Sequence, residues 1–116
     1  MCSIKEGDIV LAPFRFSENN DAKLRPCLVW KMTPVSVVLI YISSQKIDKA
    51  FPTEVILTSD QSAKIGLAKA SRIDFGKRDK CLLVDVVRVV GDLSGLPRGK
   101  LRECFEAANA AGLIDE

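Results

Sequence analysis

The sequence contains no histidine among its 116 residues. Histidine is the usual general base in serine and cysteine nucleophile systems, and it is the commonest metal ligand in proteins. Its absence therefore excludes Ser-His-Asp triads, Cys-His pairs and imidazole-based metal sites. We expect neither a bound metal nor a cofactor.

Closely spaced cysteines and long apolar runs are also missing. The cysteines are far apart in the sequence and form no CxxC motif: Cys2, Cys27, Cys81 and Cys104. Zinc sites and disulfide frameworks need tighter spacing, so reduced thiols are expected. The longest apolar stretches, near 35–42 and 82–90, fall well short of the roughly 20 residues that a membrane helix needs. Because the first residues also lack the pattern of a secretory signal, we expect a cytoplasmic protein without membrane contact.

A strong charge imbalance is absent too, because the sequence has 17 basic and 15 acidic residues. The 47% hydrophobic content excludes a disordered, collagen-like or coiled-coil chain. The length suits one globular domain spanning residues 1–116.

Short apolar segments at roughly ten-residue spacing predict a β-rich chain. The predicted strands are 7–14, 27–32, 35–43, 53–58 and 67–75. A loop is predicted over 15–24, another over 59–66 and a charged turn over 76–80. Residues 81–90 fit a further strand or a passage from strand to helix.

The last quarter of the sequence has helical periodicity. Apolar residues recur at Leu101, Cys104, Phe105 and Ala108. Ser94 or Gly95 is predicted to cap this helix, and Gly112 to follow its end. The sequence thus predicts a mainly β (β-rich α+β) fold, in which one C-terminal helix packs on a small, strongly curved sheet or barrel.

Polar residues gather at three places where apolar patterning does not require them. Arg25 follows a polar loop, and residues 43–45 (SSQ) end the strongest predicted strand. The third place is Arg72 and Asp74, which share one face of a strand. Because Ile73 and Phe75 belong to the core, the alternation turns Arg72 and Asp74 toward solvent or a ligand.

Residues 64–80 carry six basic and two acidic side chains, forming a basic edge beside Arg25. Such an edge attracts a phosphate backbone. The plain alternative is a solvated surface on which Arg72 and Asp74 form an exposed ion pair worth under about 1 kcal/mol.

The order and spacing of these pieces resemble the MazF/PemK family of bacterial toxin–antitoxin ribonucleases. The matching segments are GDIV at 7–10, LRPCLV at 24–29, ISSQ at 42–45, FPTEV at 51–55, SRID at 71–74 and AGLID at 111–115. The resemblance implies an SH3-like barrel, a homodimer, and an acidic antitoxin that covers a basic RNA groove. It also implies metal-free cleavage of single-stranded RNA by its own 2′-OH, giving a cyclic phosphate and a 5′-OH.

Carried over residue by residue, the resemblance implies roles for individual side chains. Arg25 and Arg72 would grip the phosphate and Ser43 would donate a hydrogen bond to it. Asp74 would be the base, with Glu18 in reserve. The loops 15–24 and 59–66 would frame the RNA groove. The RNA-binding candidates are Arg15, Lys23, Ser44, Gln45, Lys77 and Arg78.

Two other functions remain open at this point. A non-catalytic SH3-like module that binds RNA or protein would keep the barrel and the basic edge. A CcdB-like topoisomerase poison would depend on the C-terminal helix instead of Arg25 or Ser43.

Overall fold

A computed structural model describes residues 4–15, 22–45, 47 and 51–114. These residues contain six strands: β1 (Asp8–Phe14), β2 (Lys23–Met32), β3 (Ser36–Ser43), β4 (Glu54–Leu57), β5 (Ser71–Leu82) and β6 (Arg88–Asp92). They also contain the helices α1 (Ser59–Lys64) and α2 (Arg98–Ala110), with 3₁₀ turns at Leu83–Asp85 and Leu93–Gly95. The prediction of a mainly β fold with one C-terminal helix is confirmed.

The strands form one antiparallel sheet in the order β4-β5-β3-β2-β1-β6. The chain leaves the sheet after β3, builds β4 at the edge, and returns through β5 between them. Register shifts interrupt the β1–β6, β2–β3 and β3–β5 pairings. Such irregularities bend strands and increase twist, which helps the sheet to curl.

One face of the sheet packs against α2. Ile42 on β3 and Phe75 on β5 belong to the same buried core as Cys104, Ala107 and Ala108 on α2. The predicted helical stripe is right for Cys104 and Ala108. It is wrong for Phe105, which is 58% exposed, because Ala107 faces the core in its place.

The opposite face carries a second core, made of apolar side chains from β1, β2 and β3: Val10, Ala12, Phe14, Cys27, Val29, Val37 and Leu39. Side chains alternate along a strand, so this face continues from Cys27 to Arg25 and from Leu39 through Tyr41 to Ser43. The candidate residues of β2 and β3 therefore lie at one end of an otherwise apolar face.

β2 begins at Lys23, four residues before the predicted strand, so Pro26 is an interior residue of the strand. It pairs with Leu11 of β1, whereas pairing with β3 begins only at Cys27. Pro26 is therefore tolerated, because β2 is paired with a neighbouring strand on only one side at this position. The same divergence opens a gap between the start of β2 and the end of β3.

β5 continues through residues 76–80, so the predicted charged turn is wrong. The pairing with β3 passes from Asp74 opposite Tyr41 to Arg78 opposite Ile40, across a register shift. Charged residues here mimic a turn in the sequence. They are tolerated in the strand because most of this extension is exposed.

The predicted loop over 59–66 is also wrong, since it contains α1. Thr58 caps this helix by accepting a hydrogen bond from the Gln61 N–H, and the Gln61 side chain reciprocates. This capping box fixes the helix start. Gly66 then turns the chain with a φ of +90°, where a Cβ would collide with the Val90 carbonyl.

At the C-terminal helix, Pro97 is the N-cap, so the prediction of Ser94 or Gly95 is wrong. Those two residues belong to the preceding 3₁₀ turn, which Asp92 caps. Gly112 follows the helix with a φ of +77°, as predicted. Among the described residues, no helix has both the length and the apolar character needed to cross a membrane.

Candidate functional site

An open groove lies between the start of β2 and the end of β3. It is lined by residues 25–26 of β2, by 41–45, and by 67–69 with Ser71, and it encloses about 420 Å³. We call it the Arg25 groove. It brings together four of the predicted site residues, Arg25, Ser43, Ser44 and Gln45. The predicted framing by 59–66 is replaced by the segment 67–71, because α1 takes up most of that stretch.

Arg25 is half-buried in the wall of this groove. Its Nη1 donates a hydrogen bond of 3.3 Å to the hydroxyl of Tyr41. The centre of the guanidinium also lies 5.5 Å from the centre of the Tyr41 ring, a distance suited to a cation–π contact. Tyr41 therefore orients the guanidinium through an uncharged hydroxyl and ring.

Ser43 is the last residue of β3 and is only 8% exposed. Its Oγ accepts a hydrogen bond of 3.0 Å from the backbone N–H of Gln45. This contact closes a tight turn over 43–45 and leaves the serine O–H proton as a donor. The predicted strand-end hydroxyl is thus fixed in the groove wall.

Arg72, Asp74 and Glu54 form a buried ionic cluster, here called the Arg72 cluster. Arg72 Nη1 lies 2.7 Å from Glu54 Oε2 and 3.2 Å from Asp74 Oδ2. All three side chains are less than a tenth exposed. The strand registers account for the arrangement, since Asp74 lies opposite Glu54 of β4 and opposite Tyr41 of β3.

Of the two alternatives for Arg72 and Asp74, exposure to solvent is wrong, whereas contact with a ligand stays a prediction, since both side chains line the cavity described below. The alternation is right, because both side chains lie on the face away from Ile73 and Phe75. They are nevertheless buried, as β4 places Glu54 beside them. The exposed ion pair considered as the plain alternative is excluded for the same reason.

The pKa of Asp74 lies above its ordinary value. Burial is the main cause, and the negative charge of Glu54 acts in the same direction. The Gly76 N–H, which donates to Asp74 Oδ1 at 3.0 Å, opposes the rise, as do the charges of Lys77 and Arg72. A carboxyl group with a raised pKa is better matched to proton transfer near neutral pH.

The two sites are joined through the backbone of Gln45. Its carbonyl accepts a hydrogen bond of 3.3 Å from Arg72 Nε, and its N–H donates to Ser43 Oγ. The Arg72 cluster therefore supports the wall of the Arg25 groove from behind. A separate cavity of about 350 Å³ lies on the other side of Arg72 and is lined by Asp74 and Lys77, among others.

Lys77 is close to both cavities, because its Nζ lies 5.6 Å from the centre of the Tyr41 ring. Arg78 is different. It pairs with Ile40, whose side chain belongs to the core beneath α2, so the register turns Arg78 away from the face of Tyr41 and Ser43. Lys77 and Arg78, predicted together as RNA contacts, are thus separated by the strand.

The remaining predicted contacts lie further along the sheet. Arg15 bonds to Asp79, through its backbone N–H at 2.8 Å and its side chain at 3.5 Å. Lys23 is exposed at the start of β2, opposite Phe14. Glu18, the reserve base, lies outside the described residues.

Sequence reasoning missed two residues of this site, Glu54 and Tyr41. Glu54 is the first residue of β4, and the alternation of that strand puts its side chain on the face opposite Val55. Tyr41 is the only tyrosine of the chain, at a position that alternation places on the same face as Ser43. Neither signal identifies the partner, since the register between strands is not written in the sequence.

Cysteines and metal ligands add no further chemistry within the described ranges. Burial raises the pKa of Cys27 to about 12 and that of Cys104 to about 11, so both thiols stay protonated. Cys27, Cys81 and Cys104 are free. In this part of the chain, no three histidine, cysteine, aspartate or glutamate side chains are grouped so that they could hold a metal ion.

Comparisons with solved structures show the same fold. The Mycobacterium tuberculosis toxin MazF-mt6 matches with a TM-score of 0.67 and 20% identity, over 94% of this chain and 99% of the toxin. An endoribonuclease in complex with its cognate antitoxin, from a mycobacterial species, matches with a TM-score of 0.68 and 12% identity, over 98% of this chain and 100% of that one. No curated protein sequence matches the chain.

The comparison with family models shows more than a shared fold. The model of the PemK-like, MazF-like toxins of type II toxin–antitoxin systems matches residues 5–110. That range includes the Arg25 groove and the Arg72 cluster. The chain therefore belongs to the PemK-like, MazF-like toxin family of type II toxin–antitoxin systems.

Proposed function

We propose that this toxin is an endoribonuclease that cuts single-stranded RNA without a metal ion. The observation that carries the proposal is the Arg25 groove. An arginine and a strand-end hydroxyl on adjacent strands face one open cavity, which is large enough for a sugar-phosphate unit. The family match and the likeness to solved endoribonucleases support it.

The reaction uses the 2′-OH of the RNA itself. A bond forms between the 2′ oxygen and phosphorus, and the bond from phosphorus to the 5′ oxygen breaks. The products are a 2′,3′-cyclic phosphate and a free 5′-OH. Negative charge grows on the phosphoryl oxygens during the reaction, so preorganised donors around the phosphate lower the barrier.

Arg25 and Ser43 supply these donors. A guanidinium offers two parallel N–H donors to one phosphate, and Tyr41 holds the Arg25 side chain in place for this contact. The Ser43 hydroxyl, fixed by the Gln45 N–H, donates to the same phosphate. Lys69 at the rim and Lys77 nearby add positive charge for the RNA backbone.

Asp74 is the proposed base for the 2′-OH, with the RNA extending from the Arg25 groove to the separate cavity that Asp74 lines. Its raised pKa suits a group that must take up a proton near neutral pH. Arg72 keeps the carboxylate in position through the 3.2 Å contact with Asp74 Oδ2. The leaving 5′ oxygen takes up a proton from water as the bond to phosphorus breaks, and Asp74 releases the proton of the 2′-OH to solvent.

The proposal extends to the partners of the protein. A basic RNA groove is also the natural docking place for an acidic antitoxin segment, which would compete with RNA for Arg25. A solved relative is bound to its cognate antitoxin. We also propose a homodimer.

A cleavage assay on long single-stranded RNA, run with a chelator, tests this function. Wild-type protein should give discrete fragments with 5′-OH ends, and Arg25→Ala should cleave at least about 100-fold more slowly. Arg102→Ala is the matched control, since Arg102 is an exposed arginine on α2. It should cleave like the wild type.

Intact RNA after treatment with folded wild-type protein would contradict the proposal. A protein that binds RNA without cutting it would be the non-catalytic module. A protein that neither binds nor cuts RNA would direct attention to topoisomerase poisoning through α2.

A further inference from the structure

Glu54 is a buried carboxylate whose two oxygens are both engaged. Oε2 accepts the 2.7 Å hydrogen bond from Arg72 Nη1, and Oε1 accepts a 3.1 Å hydrogen bond from the backbone N–H of Phe51. Its own N–H donates to the Phe51 carbonyl at 2.9 Å. The carboxylate is thus fixed by the turn before β4 and aimed at Arg72.

Glu54 is not needed to balance the charge of Arg72. Asp74 already provides one carboxylate for the guanidinium at 3.2 Å, and a one-to-one pair would be neutral. A second buried carboxylate adds a desolvation cost that a neutral side chain would avoid. Its contact with Arg72 is nevertheless the shorter of the two. This geometry indicates that Glu54 determines where the guanidinium lies.

The position of the guanidinium matters for the Arg25 groove. While Nη1 is held by Glu54, Nε of the same side chain donates to the Gln45 carbonyl at 3.3 Å. Gln45 in turn holds Ser43 Oγ through its N–H at 3.0 Å. A continuous chain of hydrogen bonds therefore runs from β4, behind the groove, to the hydroxyl that faces the RNA phosphate.

We propose that Glu54 is a positioning residue for RNA cleavage, acting through Arg72 on the turn that carries Ser43. The inference rests on the proposed ribonuclease function. Glu54 lines the separate cavity together with Asp74, and the proposed role is exerted through Arg72 and not on the reacting atoms. Its contribution is to hold the groove wall in the geometry that the transition state requires.

The pH dependence of cleavage offers a readout that a purely structural role would not change. Among the residues that the structure describes, the charged or titratable groups that face Asp74 are Glu54 on β4, Arg72 and Lys77 on β5, and Tyr41 on β3. The charge of Glu54 raises the pKa of Asp74. Replacing Glu54 with a neutral residue of the same shape should therefore lower that pKa.

The experiment compares Glu54→Gln with wild type in steady-state cleavage of a short single-stranded RNA over a pH series. The variant should fold, because Arg72 and Asp74 remain as a neutral pair. We expect kcat to fall by about 10- to 100-fold with little change in KM, because a displaced catalytic group impairs the transition state. The acid limb of the kcat profile should move to lower pH.

Glu103→Gln is the matched control, since it makes the same chemical change at a half-exposed site on α2. It should leave rate and pH profile unchanged. Glu54→Asp keeps the charge but withdraws it from Arg72 by one methylene. It should lower kcat and leave the acid limb in place, and it provides the test if Glu54→Gln does not fold.

An unchanged kcat in Glu54→Gln, or a rise in KM with kcat unchanged, overturns the positioning role. If that variant does not fold, a wild-type rate in Glu54→Asp overturns it. In both cases, active wild-type protein leaves the ribonuclease function intact. Inactive wild-type protein would overturn the function and this inference together.

Discussion

The two arginines of the candidate site have contrasting surroundings. Arg25 is half-buried, contacts the hydroxyl and ring of Tyr41, and lines an open groove. Arg72 is 7% exposed and is bonded to two buried carboxylates and one backbone carbonyl. Both arginines were predicted to grip the phosphate. Arg25 lines the Arg25 groove, whereas Arg72 is bonded to carboxylates beside the separate cavity, and the phosphate contact of each stays a prediction.

Burial and neighbouring carboxylates can therefore give two chemically identical side chains different roles. A guanidinium already bonded to two carboxylates has little attraction left for an RNA phosphate. It is suited instead to holding its neighbours in place. Arg25 should therefore matter for activity with little effect on stability, and Arg72 should matter for both.

The largest expected effect is on stability. Arg72→Ala leaves Glu54 and Asp74 as two uncompensated buried carboxylates, and it should lower the free energy of unfolding by about 3–5 kcal/mol. Arg25→Ala should change it by less than about 1 kcal/mol, since Arg25 is half-buried in an open groove and its contacts with Tyr41 are to an uncharged hydroxyl and ring. Urea denaturation of the two variants and wild type, followed by circular dichroism, measures both values.

Equal losses of stability in the two variants would contradict the different roles assigned to Arg72 and Arg25. A small loss in Arg72→Ala would mean that the cluster is solvated or that its carboxylates are protonated. Raising the pH should then enlarge the loss if protonation is the cause.

The sequence was sufficient for much of this fold. Alternation in β5 correctly put Ile73 and Phe75 in the core and Arg72 and Asp74 on the other face. The periodicity of the last quarter predicted α2. These patterns succeed because they depend on neighbours along the chain, which the sequence contains.

The burial of the Arg72 cluster could not be predicted in this way. It depends on β4 pairing with β5 in the register that sets Glu54 beside Asp74, a relation between residues twenty positions apart. The predicted turn over 76–80 is wrong for the same reason, because residues 78–80 pair with β3, and this pairing is not visible in the local sequence. α1 is a different case. Its capping box, Thr58 with Gln61, is a local signal that the sequence itself contains.

An intermediate effect on the free energy of unfolding is expected for Asp74→Asn, since Arg72 keeps Glu54 as its partner. The folded-state pKa of Asp74 lies above the unfolded value, so the folded protein binds this proton more readily. The resulting stabilisation is present below the unfolded pKa and is lost as the pH rises through the folded pKa. The stability of Asp74→Asn relative to wild type should therefore increase with pH across that window.

Denaturation at a series of pH values from about 3.5 to about 7 measures this trend. Asp60→Asn serves as the control, because it removes an exposed carboxylate from α1. A difference between Asp74→Asn and wild type that is independent of pH would contradict the raised pKa. The contrast between Arg72 and Arg25 would then be supported only by the ion-pair distances around Arg72.

The smallest expected effect is that of Tyr41→Phe on activity. The variant removes the hydroxyl that accepts from Arg25 Nη1 at 3.3 Å and keeps the ring against Phe14 and Lys77. One neutral acceptor contributes about 1 kcal/mol, so kcat/KM for RNA should fall about fivefold. A fall as large as that of Arg25→Ala would show that the hydroxyl meets the RNA directly. An unchanged rate would show that the ring alone keeps the guanidinium over the groove.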